Sequence, residues 1–476
     1  MIDLFFAVIE LVLICWLTVR RPLLAVWVVL ILSTTTGFFG RLAFFIGGSG
    51  PPLDFIRFAT EIGVVLIALK AFFARDIVHN RTTRFFDGLF WLCLLFFTLT
   101  TLNIFFVGPK ATIWGWRWMC LPMLMYIVGR AVGSKDGSML RADRALMVLL
   151  CVQALYGASQ ALIGLLPHEQ YWISMIPEVS RDAGNVEGGM FFAGHWRYPA
   201  LTTGHTFFSY LVAFLFLWTL YSPHLHPGLR RLRWLALISA VGGVLVTGER
   251  AGLGMIAIGT CIALVVKVRR QFGRVGFAIG LITVVAFAVG VSQIDSQRIP
   301  KTEGNIVVVR TLELLNPLQA ETVRWRLQSV WPEALERVWA NPFGYGLGSY
   351  QTTRDNQVEV DSGTGFYFPP HNAYLQLTLE TGVIGGLLYV LLLLCYGWYL
   401  VRVAVRHGSP YVARALAVLL AVSALGMFNP VQPPLTLFFW FSMGLTVSCL
   451  ARTVPAYAAV AAPRAMPKAG LPIASD

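Results

Sequence analysis

Apolar runs alternate with short polar connections along most of the chain. A helix needs about 20 apolar residues to cross a bilayer, and thirteen runs approach or reach that length. The predicted spans are 4–19, 23–39, 55–74, 85–107, 114–132, 145–166, 200–221, 233–247, 251–267, 275–293, 372–401, 411–428 and 433–451. Twelve spans are the alternative if the first two are divided wrongly. The pattern therefore predicts an all-α integral membrane protein with 12–13 transmembrane helices.

One long polar interval, roughly Ser292 to Pro370, interrupts this series. The predicted organisation has four parts, which are ten transmembrane helices in 1–293, a large outer loop with amphipathic helices in 294–371, the C-terminal transmembrane helices in 372–451, and a disordered tail rich in Ala and Pro in 452–476. The first apolar run lacks the basic leader and the cleavage site of a signal peptide.

Composition and charge agree with a membrane protein. The chain is 57% hydrophobic and 13% charged. Its net charge of +13 could indicate a nucleic-acid partner, but the basic residues cluster in alternate connections, for example at Arg130 and Arg414, as the positive-inside rule predicts for the cytoplasmic side. The acidic connection 167–199 and the outer loop then face the opposite side. The seven cysteines lie in or beside apolar runs without a CxxC pair, which indicates small membrane hydrophobes.

The outer loop contains a predicted amphipathic segment. In 321–340, Trp and other apolar residues recur at helical spacing, and Pro332 is expected to break a helix or start one. A glycine-rich turn follows at 341–348. Such a helix can lie in the membrane interface, cover a cavity as a lid, or simply cap the bundle.

His371 lies where this loop meets the next helix. Pro369 and Pro370 fix the chain before it, and Asn372 is a favourable N-cap for the helix that follows. An imidazole held at a membrane boundary can act as a general base. The alternative is a loop histidine that only solvates a helix end.

Two arginines interrupt the charge pattern on the same side. Arg250 lies in a short turn, 247–252, and Arg197 precedes the span that starts at 200. A cation at the membrane boundary on the face where basic residues are rare indicates function. Two guanidinium groups facing one cavity would bind a pyrophosphate through planar, permanently charged forks. Each arginine could instead form an ion pair, for instance Arg250 with Glu249.

No metal or nucleotide site is expected. The outer loops contain no Asp-x-Asp motif and no His/Asp cluster at ligand spacing, and the glycines at 344–348 lack the Lys-Ser/Thr of a phosphate-binding loop. The residues therefore indicate a transfer reaction without a cofactor. In it, His371 takes a proton from a hydroxyl group, and the arginines stabilise a pyrophosphate leaving group.

These stretches resemble the O-antigen ligase/polymerase superfamily of bacterial envelope glycosyltransferases. Residues 371–376 and 380–385 are similar to the family's HN-x-Y-L-Q and E-x-G-I-I-G elements. Residues 324–348 resemble its R…W…NP-x-G-x-G loop, and 247–252 its T-x-S-R-G-A turn. Residues 197–210 are similar to an arginine that precedes a small-residue helix start.

Two departures from the family pattern concern the arginines. Glu249 stands where the family often has Ser, so it could pair with Arg250. Arg181 is the other outer-loop candidate for the position assigned to Arg197.

The resemblance implies an inner-membrane enzyme with a C-type helix arrangement and an active site that faces the periplasm. The donor would be a glycan on undecaprenyl pyrophosphate, and the acceptor a lipid A core sugar or another lipid-linked unit. The reaction would be metal-independent and inverting. His371 is the implied base, and Arg197 and Arg250 are the implied pyrophosphate contacts. The candidates for the acceptor side or a lid are Tyr345, Trp325 and Asn372.

Two other classes of protein remain as alternatives. A secondary transporter or a flippase for lipid-linked glycans would need charged residues near the middle of the membrane, and the predicted spans carry few, chiefly Glu61, Lys70 and Glu380. An assembly protein would use the loop 294–371 as a docking surface and would not require His371 or Arg250.

Overall fold

The structure is a computed structural model of the chain. It describes residues 2–47, 53–73, 77, 79–103, 107–171, 191–192, 195–196, 200–202, 205–222, 229–247, 249–262, 265, 273, 321–350, 370–407, 410–429 and 433–461.

Helices account for nearly all of the described chain. In the first half they are α1 (Ile2–Arg20), α2 (Pro22–Gly47), α3 (Leu53–Phe72), α4 (Arg81–Leu99, continued by a 3-10 turn at Thr100–Asn103), α5 (Pro109–Met123), α6 (Met125–Gly133) and α7 (Ser138–Ile163). In the second half they are α8 (His205–Leu220), α9 (Arg230–Thr247), α10 (Arg250–Ile262), α11 (Glu321–Trp325), α12 (Trp331–Ala340), α13 (Ala373–His407), α14 (Pro410–Phe428) and α15 (Pro433–Ala461). A five-residue π-helical turn, Arg326–Val330, joins α11 to α12.

The described residues contain one very short antiparallel ladder. Strands β1 (Phe191–Phe192) and β2 (His195–Trp196) pair Phe191 with Trp196 and Phe192 with His195. The architecture is otherwise helical, which confirms the predicted all-α integral membrane class.

Six described helices are long and apolar enough to cross a membrane. They are Pro22–Ala43, Thr82–Leu102, Ser138–Ile163, Ala373–Ala404, Tyr411–Phe428 and Leu435–Arg452, and two shorter apolar helices are Thr206–Leu220 and Arg250–Ile262. Each predicted span except 275–293 coincides with a helix or a helix pair, and 275–293 lies wholly outside the described residues.

Two boundaries differ from the prediction. The span expected at 114–132 is two helices, α5 and α6, which meet at Leu124 just after Pro122. Proline has no N–H to donate, so the hydrogen-bond ladder is interrupted there. At the C-terminus α15 runs to Ala461, so a disordered tail does not begin at 452 as predicted. Residues 462–476 lie outside the described part.

Helix α15 forms the centre of the bundle, because 83% of its apolar, membrane-spanning stretch is buried. Its partner is α6, and glycines bring the two backbones together. A Cβ atom on Gly129 would lie 2.2 Å from the carbonyl oxygen of Phe441, and one on Gly444 would lie 2.1 Å from that of Tyr126. Small residues allow this close approach between membrane helices.

Two arginines predicted in cytoplasmic connections are buried and paired instead. Arg130 holds Asp87 through two hydrogen bonds of 2.9 Å. Arg414 donates to Asp143 at 2.5 Å, and the indole of Trp218 donates to the same carboxylate oxygen at 2.9 Å. The spans therefore contain more charge than the sequence pattern indicated, and this charge forms structural pairs between helices.

The acidic connection also contains a buried anchor. Glu169 is fully buried and accepts hydrogen bonds from Gln160 at 2.6 Å and from Tyr156 at 3.1 Å. It lies 3.5 Å from Arg41, which donates to the carbonyl oxygen of Ala200 at 2.5 Å. This cluster fixes the chain just before α8.

Candidate active site

The segment before α13 holds His371 in an unusual backbone conformation. His371 has φ of +48°, a left-handed region that costs a non-glycine residue about 1–2 kcal/mol. Asn372 is buried, and its side-chain oxygen accepts from the backbone N–H groups of Tyr374 at 3.0 Å and Leu375 at 3.1 Å. The predicted N-cap is therefore confirmed. Strain of this kind is typical of functional positions, because only surrounding contacts can maintain it.

The loop helices lie over His371. The rings of Trp325 and His371 have centroids 6.3 Å apart and planes inclined by 60°. Six residues further on, the indole of Trp331 donates to the carbonyl oxygen of Pro370 at 3.1 Å. Trp325 thus borders the histidine, and Trp331 holds the residue before it.

Arg326 is a site residue that the sequence analysis missed. It begins the π-helical turn, and its Nη1 donates to the carbonyl oxygen of Phe428, at the end of α14, at 2.5 Å. Its buried Nε has no hydrogen-bond partner among the described residues. The signal that could have identified Arg326 is the R…W element of the family-like loop. The loop at 324–348 starts from Arg324, two residues before Arg326.

Several charged and polar groups of α8 and α10 act on Arg326. Burial lowers the pKa of Arg326 below its usual range, Tyr210 and Glu249 oppose this shift, and the charge of Arg250 adds to it. The guanidinium nevertheless stays protonated at physiological pH. Arg326 and Arg250 therefore place two permanent cations in one electrostatic neighbourhood. Among the described residues that shift the pKa of Arg326, Glu249 contributes the opposing carboxylate charge.

Hydrogen bonds tie these groups to separate elements. The hydroxyl of Tyr210 in α8 donates to the Oδ1 atom of Asn429 at 2.7 Å, and Thr206 donates to Glu249 at 3.4 Å. The backbone N–H of Glu249 donates to the hydroxyl of Thr247 at 3.2 Å, which shapes the turn before Arg250. The site is thus assembled from α8, α10, the loop helices and the end of α14.

The environment of His371 keeps its imidazole neutral. Burial, and secondly the charge of Arg326, lower the pKa of His371 to about 4. The ring is therefore unprotonated at neutral pH, which is the form that can accept a proton. A substrate anion bound to the arginines would offset their charge and raise the basicity of the ring.

The glycine-rich turn connects α12 to α13 through a break in α13 at Gly382, which has φ of +78°. Because the helix is broken there, the carbonyl oxygens of Leu379 and Glu380 accept from Tyr345 N–H at 2.8 Å and Gly346 N–H at 2.9 Å. In return, Val383 N–H donates to the carbonyl oxygen of Pro342 at 2.9 Å. A Cβ on Gly344 would lie 2.3 Å from the nitrogen of Gly382, so the two glycines are required for this contact.

Glu380 completes the junction from inside α13. Its carboxylate accepts from the backbone N–H of Gly348 at 3.1 Å and from the side chain of Gln376 at 3.1 Å. The carboxylate is buried and serves to hold the turn. The family-like E-x-G element therefore has a structural role, in which it holds the glycine-rich turn against α13 beside the site.

The remaining predicted residues lie in different places. The hydroxyl of Tyr345 donates to the carbonyl oxygen of Arg337 at 3.4 Å, and its ring packs on Tyr350, so it belongs to the packing between the turn and α13. Trp325 is about half exposed beside His371. Arg197, like its alternative Arg181, lies outside the described residues.

Amphipathic α12 uses both of its faces. Ala334 and Val338 are buried against Leu379 of α13, whereas Leu335 and Trp339 are exposed, Trp339 to 77%. The inner face therefore packs on the bundle as a cap, and the outer face leaves large apolar side chains uncovered.

The arrangement has definite chemical capabilities. A neutral imidazole beside the guanidinium group of Arg326, which itself lies near Arg250, can accept a hydroxyl proton while the cations bind an anionic leaving group. Arg197, Arg250 and His371 were predicted from separate stretches. Of these, the structure brings Arg250 and His371 to the neighbourhood of one residue, Arg326.

One region of the chain matches a known protein family. Residues 235–390 match the family model described as O-antigen ligase, over about a third of the chain. This region contains Arg250, Arg326, the glycine-rich turn and His371. The match confirms the predicted resemblance to the O-antigen ligase/polymerase superfamily. It supports a multi-pass membrane protein with glycosyltransferase activity of this type. No curated protein matches the chain.

Proposed function

We propose that this protein transfers a glycan from undecaprenyl pyrophosphate to an acceptor hydroxyl at the periplasmic face of the inner membrane. The observation that carries the proposal is the convergence of a neutral imidazole, His371, with Arg326 and Arg250 at one end of the bundle. The acceptor is either a lipid A core sugar, which makes the protein a ligase, or a second lipid-linked glycan, which makes it a polymerase.

The reaction follows from the roles of these groups. The acceptor hydroxyl attacks the anomeric carbon, and the bond from that carbon to the pyrophosphate oxygen breaks. His371 takes the hydroxyl proton, and undecaprenyl pyrophosphate leaves with its electron pair. A single displacement of this kind inverts the anomeric configuration.

The arginines stabilise the charge that develops on the leaving group. Their planar forks match phosphate oxygens and do not lose their proton. Arg250 and Arg326 provide two such forks in the described structure, and Arg197 is proposed as a third. Stabilisation of this kind makes a divalent metal unnecessary for the step, so we propose a metal-independent reaction.

The test compares His371→Gln with His79→Gln in cells whose only copy of the protein carries the substitution. His79 is about half exposed, and its ring lies 3.5 Å from Asp87 near the other end of the bundle, so it serves as a matched histidine control. Protein levels in the membrane are measured for both variants. His371→Gln should stop glycan transfer, and His79→Gln should not.

The glycans that remain identify the acceptor. Long polymer that stays on undecaprenyl pyrophosphate and never reaches lipid A core indicates a ligase. Single repeat units without longer products indicate a polymerase. Unchanged surface glycan in His371→Gln contradicts the proposal, and a glycan that remains on the cytoplasmic side favours a flippase instead.

A further inference from the structure

A cavity lies in the bundle between α2, α3 and α5, with Phe207 of α8 at its edge. Its enclosed volume is about 80 Å³, and its mouth is partly open. Its polar lining combines Ser33, Thr36 and Thr60 with the charged residues Arg57, Glu61 and Arg117, and its aromatic lining includes Trp114 and Trp118.

Arg117 lines this cavity and is held by contacts on several sides. Its Nε and Nη2 hold both carboxylate oxygens of Glu61, at 2.7 and 2.8 Å. The guanidinium carbon lies 4.2 Å from the ring centroid of Phe58 and 4.0 Å from that of Trp114. These contacts lock the guanidinium plane. Arg117 is only 5% exposed, yet its Nη1 has no hydrogen-bond partner among the described residues.

A buried donor without a partner is unfavourable, and a ligand in the cavity can supply the missing acceptor. The composition of the lining indicates what kind of ligand. Carboxylate, guanidinium and hydroxyl groups together offer both donors and acceptors, which suits a ligand rich in hydroxyl groups. Tryptophan faces suit its apolar C–H surfaces. A lipid tail would leave the polar groups unpaired, and Glu61 disfavours a simple anion.

The cavity adjoins the candidate active site through two elements. Phe207 follows Thr206, which donates to Glu249 beside Arg250. Helix α5 carries Trp114, Arg117 and Trp118, and the backbone of its Gly115 contacts Gly348 at the end of the glycine-rich turn.

We propose that this cavity is a saccharide-binding subsite, in which Arg117 and Glu61 hydrogen-bond to sugar hydroxyls and Trp118 packs on a sugar ring. The inference rests on the proposed transferase function and adds a substrate contact to it. The sugar belongs to one of the two glycan substrates, the donor or the acceptor, and kinetics distinguish these sources.

The test uses the full-length protein in phospholipid vesicles with lipid-linked glycan donor and glycan acceptor, each titrated separately. Arg117→Lys keeps the positive charge and the pairing with Glu61 but removes the second Nη donor. Trp118→Leu removes the aromatic face and keeps an apolar side chain. Arg130→Lys is the matched control, because Arg130 holds Asp87 in the same two-bonded geometry in a different cluster.

We expect Arg117→Lys to raise KM for one glycan substrate about tenfold or more, which corresponds to the loss of one hydrogen bond to a charged group. Trp118→Leu should raise KM for the same substrate, because the sugar ring loses its aromatic contact. Their kcat values and the KM for the other substrate stay near those of wild type. The substrate with the raised KM is the one whose sugar occupies the cavity. Arg130→Lys should leave both KM values unchanged.

Three outcomes overturn the inference. Unchanged KM values for both substrates in Arg117→Lys and Trp118→Leu show that the cavity binds no sugar. An equally raised KM in Arg130→Lys shows that the effect is a general destabilisation of the protein. If wild-type protein transfers no glycan with either acceptor, the proposed function fails and the subsite fails with it, whereas the first two outcomes leave the transferase function intact.

Discussion

The indole of Trp325 lies against the imidazole of His371, with ring centroids 6.3 Å apart and planes inclined by 60°. The indole therefore contributes to the burial that keeps the imidazole neutral. Burial is the main cause of the lowered pKa of His371, and the charge of Arg326 is the second. The two causes lie on adjacent residues, so substitutions can separate them.

Trp325→Ala should raise the pKa of His371 from about 4 toward its ordinary value near 6.5, since water then reaches the ring. Arg326→Gln should shift it in the same direction. The neutral, basic form is present above the pKa and is lost as the pH falls through it. In the wild-type protein, the acid limb of kcat/KM assigned to His371 should therefore lie near pH 4.

The measurement need not depend on activity. Diethyl pyrocarbonate modifies neutral imidazole, so its rate of reaction at His371, followed by mass spectrometry across pH, reports the pKa directly. Identical profiles in wild type and in both variants would contradict the role assigned to burial and charge.

Arg250→Ala and Arg326→Ala should each lower kcat by about 10²–10³, the usual cost of losing one group that stabilises the charge of a transition state. Arg250→Lys should lose less, because it keeps the charge without the fork. Arg324→Ala is the control, since Arg324 lies two residues from Arg326 and is exposed. Its activity should stay close to wild type.

These rates are measured in reconstituted vesicles, with membrane insertion checked for each variant. Full activity in Arg250→Ala removes the pyrophosphate argument. A large loss in Arg324→Ala alone would transfer the role to the arginine first assigned from the motif.

Gly344→Ala should destabilise the protein by at least about 2 kcal/mol, because φ of +85° is unfavourable for alanine and its Cβ would meet the backbone of Gly382. Gly88→Ala is the matched control. Gly88 lies in α4, where a Cβ meets nothing within 4 Å, so alanine should be neutral or stabilise by up to about 1 kcal/mol. The free energy of unfolding in detergent tests both, and equal stabilities would show that the turn does not need glycine.

Asp143→Asn should cost about 3–5 kcal/mol, because it leaves Arg414 charged and buried without its partner. Asp136→Asn removes the carboxylate of an exposed pair with Arg452 and should change stability by less than about 1 kcal/mol. Denaturant unfolding compares the two variants. If Asp143→Asn leaves the free energy of unfolding unchanged, then water or another group compensates the buried charge of Arg414.

Hydrophobic patterning was sufficient to locate the helices, because apolar length is the dominant requirement for crossing a bilayer. Local chemistry also predicted the cap at Asn372 and the turn at 341–348. The pattern could not show that α5 and α6 are separate helices, since apolar composition continues across Pro122. The charge pattern predicts that Arg130 lies on the cytoplasmic side of the membrane. It could not predict the ion pair with Asp87, because this pair joins two different helices.

The candidate site was predictable only in part, for the same reason. His371 and Arg250 stand out at membrane boundaries in the sequence. Arg326 does not, because its importance comes from contact with Phe428, a residue 102 positions away. The π-helical turn also changes which side chains face inward, and regular helical spacing does not anticipate that change.

The exchange of hydrogen bonds between the turn and α13 has a consequence for biosynthesis. Leu379 and Glu380 would be left with unsatisfied carbonyl oxygens in the broken helix if Tyr345 and Gly346 did not donate to them, and such groups are costly at the membrane. The turn is translated first and cannot dock until the residues around Gly382 emerge from the ribosome. The glycine-rich turn and α13 therefore dock together, late in synthesis, and a chain cut short before Gly382 lacks this junction.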